Sequence, residues 1–490
     1  MELLVLCVWG ILLLLGLWGL LRGCAQDPSM TRQWPPGPRP LPFLGNLHLL
    51  GVTHQDRALM ELSERYGPMF TIHLGSQKTV VLSGYEVVRE ALVGTGHELA
   101  DRPPIPIFQL IQRGGGIFFS SGVHWKVARQ FTVRTLQSLG IRQPPMVGKV
   151  LQELVCLKGQ LDSYGGQPFP LTLLGWAPCN ITFTLLFGQR FDYQDPVFVS
   201  LLSLIDQVMV LLGSPGIQVR GLPPGRHSPN KECVTSAKGR HWLACFVPEP
   251  VSSFMRPGPC EYLEWALGFG EFPVNDDPED MFSEANVLAC TLDMVMAGTE
   301  TTAATLQWAV FLMVKHPHVQ GRVQEELDRV LGPGQLPQPE DQRALPYTSA
   351  VLHEVQRYIT LLPHVPRCTA ADIQLGGYLL PKGTPVIPLL TSVLLDKTQW
   401  ETPSQFNPNH FLDAKGCFMK RGAFLPFSTG RRVCVGESLA RTELFLLFAG
   451  LLQQYHLLPP PGLSPADLDL RPAPAFTMRP PAQTLRVVPR

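Results

Sequence analysis

The sequence has no net charge, no CxxC pair and no nucleotide-binding fingerprint. Its 40 lysines and arginines balance 40 aspartates and glutamates, so the composition does not favour a nucleic-acid partner. The 11 cysteines are scattered, mostly in apolar runs, which excludes a disulfide framework and is typical of a reduced, cytosol-facing chain. Because no glycine-rich flavin or nicotinamide motif is present, a redox function would need electrons from another protein.

The N-terminus carries the clearest targeting signal. Residues 3–21 form an uncharged run that is long enough to cross a bilayer as one helix. A cleaved signal peptide is the alternative, but no basic region precedes the run and no clean cleavage site follows it. Arginines follow the run, so the positive-inside rule places the body in the cytosol. A sequon at Asn180 would become usable if some chains inserted the other way.

The rest of the chain shows no internal repeat and only one linker. We expect a membrane anchor at 1–22, a proline-rich hinge at 23–43 and one large catalytic domain at 44–490. Between 215 and 262 prolines and glycines are too dense for a long helix. We expect loop there, with a short helix at 261–269. The nearby Cys233, His241, Cys245 and Cys260 fit no usual zinc pattern.

Helical periodicity dominates the body and predicts a mainly α fold with small β-sheets at its margins. Helices are predicted at 55–66, 85–92, 124–138, 147–164, 196–212, 281–315, 317–331, 347–359 and 436–455. Strands are predicted at 69–74, 79–82, 385–388 and 485–488.

The stretch FLPFSTGRRVCVGESLAR (424–441) places a cysteine where a loop turns into a helix. Gly430 permits a tight turn and Gly436 lets the backbone approach a flat group. The helix N-terminus and Arg432 are expected to lower the pKa of the Cys434 thiol. The loop has no histidine to activate a nucleophilic cysteine, and zinc would need further ligands. A single thiolate in an aromatic, glycine-lined loop is what an axial haem ligand requires.

The pattern Phe427-x-x-Gly430-x-Arg432-x-Cys434-x-Gly436 resembles the haem-binding loop of the cytochrome P450 family. The stretches AGTETT, ALPYTSAVLHEVQR and FNPNHFLD resemble family 2 of its microsomal members, subfamily W in particular. The resemblance implies a P450 fold with one large haem domain, haem b with Cys434 as the axial ligand, and a location in the endoplasmic reticulum membrane. It also implies a monooxygenase that inserts one atom of dioxygen into an apolar substrate.

The AGTETT stretch resembles the oxygen-activation motif of the family. Gly298 is expected to open a local gap in a long helix, and Thr301 is expected to turn its hydroxyl into that gap. Oxygen activation needs protons delivered in sequence, and the Thr301 hydroxyl next to the Glu300 carboxylate suits such a relay. The alternative is a run of threonines at a helix interface.

Trp125 and Arg129 share one helical face, where an indole and a guanidinium can bind a carboxylate. The resemblance implies that they hold a haem propionate and that Arg432, Arg367 and Arg102 contribute further propionate contacts. For Arg102, a solvated side chain is the alternative.

Glu354 and Arg357 lie at i,i+3 and can form an ion pair. The resemblance implies that this pair has a structural role and locks to segment 406–411. In that segment His410 stands where the more general family pattern has arginine.

The resemblance also gives a substrate cavity. Its residues are Ile107, Phe108, Ile117, Phe118, Asp293, Ala297, Leu361, Leu362, Val365 and Phe476. Most are apolar, which favours lipid-like or aromatic ligands. Asp293 either caps backbone amides of the 103–118 loop or pairs with a basic substrate.

The expected partners are NADPH–cytochrome P450 reductase, cytochrome b5, membrane lipid and a small apolar substrate. Basic contacts for the reductase are expected at Lys126, Lys420, Arg421 and Arg431. Two alternatives remain open: a haem-thiolate isomerase that acts on peroxides, and a catalytically impaired variant with an altered roof over the cavity. Relatives in the family carry two long helices in that roof, and the second is absent from this sequence.

Overall fold

The computed structural model describes most of the chain after the N-terminal segment. It covers residues 34–51, 54–105, 108–109, 112, 114–141, 143–213, 284–332, 334–473 and 475–490. The predicted anchor (1–22), the hinge up to residue 33, the atypical 215–262 segment and Ile107 lie outside the described residues. The predictions made for these parts therefore stay predictions.

Helices make up most of the described chain. They are α1 (Gln55–Tyr66), α2 (Tyr85–Arg89), α3 (Gly122–Ser138), α4 (Pro144–Asp162), α5 (Trp176–Phe187), α6 (Pro196–Leu212), α7 (Glu284–Lys315), α8 (Pro317–Val330), α9 (Pro346–Ile359), α10 (Leu390–Leu394) and α11 (Glu437–Gln454). Proline stands in the first turn of α4, α6, α8 and α9. Its missing N–H costs nothing there because the first helical N–H groups have no intrahelical acceptor.

Short strands form three small sheets within the described ranges. The strands are β1 (Met69–Leu74), β2 (Gln77–Leu82), β3 (Phe169–Pro170), β4 (Arg367–Cys368), β5 (Ile373–Leu375), β6 (Tyr378–Leu380), β7 (Pro385–Pro388), β8 (Tyr455–Leu458) and β9 (Thr484–Pro489). The largest sheet has the order β1-β2-β7-β4, with β1 antiparallel to β2 and β2 parallel to β7. A sheet of order β3-β9-β8 and the hairpin β5-β6 are the other two. The expected mainly α fold with small sheets is confirmed.

The main core is helical and surrounds α7. Leu306, Phe311 and Leu312 of α7 are fully buried, and α7 packs against α5 and α11. The sequence prediction missed α5 because nearly all of its residues are buried and apolar, so the helix has no polar face to produce a 3.6-residue period. Buried residues of β2, α9 and α10 form a second core beside the cysteine loop.

The predicted helix 85–92 is two elements in the structure. It is α2 followed by a π-helical turn at Glu90–Gly94. π-turns are rare and frequently mark functional sites. This one brings the carbonyl of Leu92 against the cysteine loop, as shown below.

None of the helices in the described ranges has both the length and the apolar character that a bilayer crossing requires. Within the same ranges, no cluster of histidine, cysteine and carboxylate side chains is arranged to hold a metal ion. The four zinc candidates near residue 240 are outside these ranges.

Candidate haem site

The cysteine loop is held in place by its backbone. Gly430 has φ +76°, and a Cβ atom there would lie 1.9 Å from the Leu92 carbonyl oxygen. Only glycine fits this position, for both reasons. The Cys434 N–H donates to the Phe427 carbonyl oxygen at 3.1 Å, and α11 begins three residues after the cysteine. The loop therefore presents Cys434 at a helix N-terminus, as the sequence predicts.

The second glycine of the loop is less constrained. A Cβ atom at Gly436 would lie 4.0 Å from the Cys434 sulfur, which is ordinary van der Waals contact. Its φ is −91°. Protein packing thus leaves room for a methyl group here, so the reason for glycine would be a flat group beside the sulfur.

The expected low pKa of the Cys434 thiol is wrong for the protein alone. Removal from bulk water raises this pKa, while the Gly436 N–H and the charge of Arg129 lower it by less. Arg432, the expected source of positive charge, directs its guanidinium to backbone carbonyls elsewhere. Cys434 nevertheless keeps an exposed surface, and a cation that binds the sulfur displaces the proton.

Four arginines predicted to bind propionates lie together near this loop. Arg102, Arg367 and Arg432 are 8%, 2% and 8% exposed, and Arg129 is half-buried. Burial lowers the pKa of all four, and repulsion by neighbouring guanidinium groups lowers it further for Arg102, Arg367 and Arg432. The pKa falls to about 10 for Arg367 and to about 9 for Arg432. The solvated alternative for Arg102 is excluded.

The hydrogen bonds of these arginines go to uncharged oxygens. Arg129 donates to the Val433 carbonyl at 2.6 Å, and Arg102 donates to the Phe118 carbonyl at 2.8 Å. Arg432 donates to the Ala100 and Ser120 carbonyls at 2.5 Å. Within the described chain no carboxylate forms a salt bridge with any of the four. Asp293 and Asp101 act on Arg102 and Arg432 without forming a salt bridge, so a buried cationic cluster of this kind favours an anionic ligand.

Trp125 supplies a further unused donor. Its indole is 4% exposed, and its Nε1–H has no acceptor in the part of the chain that the structure describes. The Arg432 guanidinium lies 4.0 Å from the centre of the indole ring. An orphaned buried N–H costs free energy unless a ligand accepts from it. A dianionic, flat cofactor beside a cysteine sulfur, as haem is, fits both this donor and the arginine cluster.

Asp293, Ala297 and Thr301 of α7 stand at i, i+4 and i+8, which places them on one helical face. Asp293 accepts hydrogen bonds from the Ile117 and Phe118 N–H groups at 2.7 and 2.9 Å and from the Gln112 side chain at 2.6 Å. Of the two roles considered for Asp293, the structure shows the cap of the 103–118 loop. Burial raises the pKa of this carboxyl, and the donated hydrogen bonds oppose the rise.

The expected gap in α7 is absent. A Cβ atom at Gly298 would lie 2.7 Å from the Thr182 hydroxyl oxygen, so this glycine serves close packing of α7 against α5. The Thr301 hydroxyl donates to the Ala297 carbonyl at 2.8 Å, inside its own helix. The prediction that Thr301 turns away from the helix is therefore wrong, because no opening removes its i−4 acceptor.

Glu300 is not a free partner for Thr301. Its two carboxylate oxygens accept from the Arg479 guanidinium at 2.6 and 2.5 Å, and the Thr477 hydroxyl donates to it at 2.5 Å. Arg479 also pairs with Asp206 of α6. Consecutive helical residues point about 100° apart, so Glu300 lies off the Thr301 face. The expected relay of adjacent groups does not form in this arrangement.

The Glu354–Arg357 pair is bidentate and fully buried. Both contacts measure 2.7 Å, and Arg357 also donates to the carbonyls of Leu394, Pro403 and Gln405. The Asn407 N–H and His410 Nδ1–H donate to the two oxygens of Glu354 at 2.8 and 3.1 Å. This network joins α9 to segment 406–411.

A cavity of about 330 Å³ opens between the β1–β2 sheet, the 102–119 loop and the C-terminal segment. Of the predicted substrate residues, Phe108, Phe118, Val365 and Phe476 line it. Its described lining does not include Ile117, Asp293, Ala297, Leu361 or Leu362. Sequence reasoning missed Asp56, Ile72 and His364, which also line it, because no motif links α1 and β1 to the cysteine loop.

Comparison with known proteins agrees with this geometry. A family model described as Cytochrome P450 matches residues 35–487. Cytochrome P450 2W1 of Mus musculus is 83% identical over 497 residues, which cover 100% of both chains. The chain belongs to the cytochrome P450 family, within family 2 and subfamily W. Cytochrome P450 2W1 of Homo sapiens is 69% identical over 100% of both chains, and Cytochrome P450 2C44 of Mus musculus is 41% identical over 93% of each.

Membership of the cytochrome P450 family establishes the class of chemistry. P450 enzymes bind haem through a cysteine thiolate, so this P450 is a haem-thiolate monooxygenase. The sequence of this P450 did not indicate that Arg479 pairs with the carboxylate of Glu300. It lies 179 residues from Glu300, and no local spacing relates the two.

Proposed function

We propose that this P450 oxidises small apolar substrates, that Cys434 is its axial haem ligand and that NADPH–cytochrome P450 reductase supplies its electrons. The buried arginine cluster, which has no salt-bridged carboxylate within the described residues, carries the proposal, because it matches a dianionic cofactor next to the one cysteine of the loop. Haem supplies the oxygen chemistry when bound. The residues of the chain position it, exclude water and deliver protons.

Cofactor orientation comes from the cationic cluster. Trp125 and Arg129 of α3 would donate to one haem propionate, and Arg102, Arg367 and Arg432 would supply the remaining donors to the two carboxylates. An incoming carboxylate converts mutual repulsion among these arginines into charge-assisted hydrogen bonds. Phe427, Gly430 and Gly436 shape the loop around the sulfur.

Proton delivery is assigned to Thr301, on the face of α7 that also carries Asp293 and Ala297. Its hydroxyl, bonded to the Ala297 carbonyl at 2.8 Å, accepts a proton from water and passes it toward the reaction centre. Glu300 acts indirectly, because its contacts with Arg479 and Thr477 fix α7 against the C-terminal segment.

The substrate class follows from the cavity lining. Phe108, Phe118 and Phe476 line it, and Val365 adds an aliphatic wall. Such a lining favours aromatic or lipid-like molecules. Ile107, Ile117, Ala297, Leu361 and Leu362 remain proposed substrate contacts. Asp293 helps to shape the cavity wall, because it accepts hydrogen bonds from the N–H groups of Ile117 and Phe118.

The reductase is proposed to dock on basic residues around the cysteine loop. Lys126, Lys420 and Arg431 are exposed. Arg421 differs from them, because it is half-buried, donates to Glu401 at 3.2 Å and lies 5.3 Å from the Trp400 ring centre. Cytochrome b5 is a second proposed partner for the same surface. The 1–22 anchor and proline-rich hinge place the single 44–490 domain at the endoplasmic reticulum membrane.

The test of this proposal is the absorbance spectrum of the reduced, CO-bound protein. The wild type and Cys417→Ser, which removes a different exposed cysteine, are expected to show the thiolate-ligated spectrum. Cys434→Ser is expected to lose it completely. A thiolate spectrum in Cys434→Ser would show that another residue is the ligand.

A further inference from the structure

The cavity of about 330 Å³ has a polar end within a mostly apolar lining. Asp56 and His364 both line it. Asp56 Oδ1 and His364 Nδ1 are buried, and neither has a hydrogen-bond partner in the part of the chain that the structure describes. Buried polar atoms are almost always paired, so two orphans on residues that line one cavity indicate a ligand that pairs with them.

Asp56 is a carboxylate whose charge is largely uncompensated. It is 5% exposed and is the second residue of α1, where the helix dipole favours negative charge. Its Oδ2 lies 3.8 Å from Arg57 Nε, but the Arg57 side chain is 56% exposed, so this contact is screened by water. The helix position accounts for a carboxylate at this site. It does not account for the unpaired Oδ1.

His364 supplies a neutral acceptor or donor next to Asp56. Burial lowers the pKa of this histidine, and the negative charge of Asp56 opposes that shift, so the two side chains are electrostatic neighbours. The backbone of His364 is fixed by a bridge to Leu389, which follows β7. The backbone that carries the imidazole is therefore tied to the segment that follows β7.

Arg102 also lines the cavity, together with Phe118 and Phe476. A cationic group is repelled from Arg102 and attracted to Asp56, while an apolar body packs against the two phenylalanines. The cavity thus has an orientation for a molecule with one charged end.

We propose that Asp56 and His364 form a recognition site for the protonated amine of an otherwise apolar ligand. The ammonium group donates to Asp56 Oδ1 and to His364 Nδ1, and the hydrocarbon part lies along Phe118 and Phe476. This inference rests on the proposed function, because it assigns the polar contacts of a substrate whose body occupies the same cavity.

The probes are 4-phenylbutylamine, 4-phenylbutan-1-ol and butylbenzene, which share one apolar body. Their dissociation constants are measured by titration calorimetry on the full-length, haem-loaded protein in detergent. The wild type is expected to bind the amine more tightly than the other two. Asp56→Asn keeps the size of the side chain and is expected to weaken amine binding about tenfold or more, with less than a twofold change for butylbenzene.

The matched control is Glu61→Gln, which neutralises an exposed carboxylate of the same helix and should leave amine binding unchanged. His364→Phe is a second variant, expected to weaken amine binding severalfold even if Asp56→Asn folds poorly. Equal amine affinities in the wild type and both variants would overturn the assignment. Haem absorbance, recorded in parallel, identifies direct nitrogen ligation to the iron, and amine binding by that route alone also contradicts it.

The two proposals fail separately. If the reduced, CO-bound wild type lacked the thiolate spectrum, the proposed function would fail. The calorimetric difference between the wild type and Asp56→Asn would still report on the amine site.

Discussion

Glu443 is a buried carboxyl on α11, the helix that starts behind the cysteine loop. It is 2% exposed, and burial raises its pKa from 4.5 to about 8. The folded protein therefore holds a proton here that the unfolded chain releases between about pH 4.5 and pH 8. Folding stability contributed by this group is present at low pH and is lost as the pH rises through that window.

Glu443→Gln is expected to remove this dependence, because glutamine resembles the protonated acid in shape and charge. At pH 8 the gain in free energy of unfolding is expected to be on the order of 3 kcal/mol, and at pH 4.5 it should be close to zero. Thermal unfolding of the detergent-solubilised wild type and variant at both pH values measures this gain. Glu64→Gln, on an exposed site of α1, serves as the control. The same gain at both pH values would contradict the assignment.

Thr301 provides a second prediction at the residue scale. Thr301→Ala removes a hydroxyl from α7 and is expected to keep the thiolate spectrum. Product formed per NADPH should fall about tenfold or more, with electrons diverted to peroxide. Thr305→Ala loses the same kind of i−4 hydrogen bond one turn further on, at 2.8 Å, and should stay coupled. Unchanged coupling in Thr301→Ala would exclude the role.

Sequence reasoning worked at the residue scale where the determinant is local. The turn at Gly430 and the helix start behind Cys434 follow from spacing within one loop. The partner of Glu300 and the packing of Gly298 on Thr182 depend on distant segments, so adjacency in sequence gave a relay that the structure does not contain. Asp56 and His364 carry no motif at all.

At the scale of elements, the link between α9 and segment 406–411 depends on one carboxylate. Glu354 compensates the charge of Arg357, which has no exposed surface, and accepts from Asn407 and His410. Glu354→Gln leaves a buried guanidinium uncompensated, at a cost of about 3–5 kcal/mol. We expect a large loss of haem-loaded protein on purification.

The control for this change is Asp469→Asn. It breaks the ion pair with Arg471, whose side chain is 85% exposed, and should leave the haem-loaded fraction unchanged because exposed pairs contribute little. A Glu354→Gln protein with wild-type haem content and thermal stability would show that the pair is dispensable.

Hydrophobic periodicity predicted the amphipathic helices. It failed for elements that are buried on every side or are too short to show a period. α1 and α6 have the predicted bounds, since each has one apolar face. α5 is buried on every side and gives no period. Strands of two or three residues, such as β4 and β5, are too short for alternation to identify, and their pairing is decided by the neighbouring sheet.

At the scale of the whole molecule, the structure changes how membrane orientation can be tested. The sequon residue Asn180 is 0% exposed, and its amide donates to the Phe191 carbonyl at 2.9 Å and to Glu153 at 3.3 Å. A glycan there is incompatible with this fold. Absence of a glycan at Asn180 therefore says nothing about which side of the membrane holds the body, and the orientation needs a reporter outside the folded domain.

The reporter we propose is a short N-terminal extension with an added glycosylation sequon, combined with protease digestion of intact microsomes. Arginines after the uncharged run at 3–21 predict that the body lies in the cytosol. The extension should then acquire a glycan, and the body should be digested without detergent. Replacing Arg22, Arg32 and Arg39 by glutamine is expected to reduce the glycosylated fraction, because those charges set the orientation. A body protected from protease in the unaltered chain, with an unglycosylated extension, would establish the opposite topology.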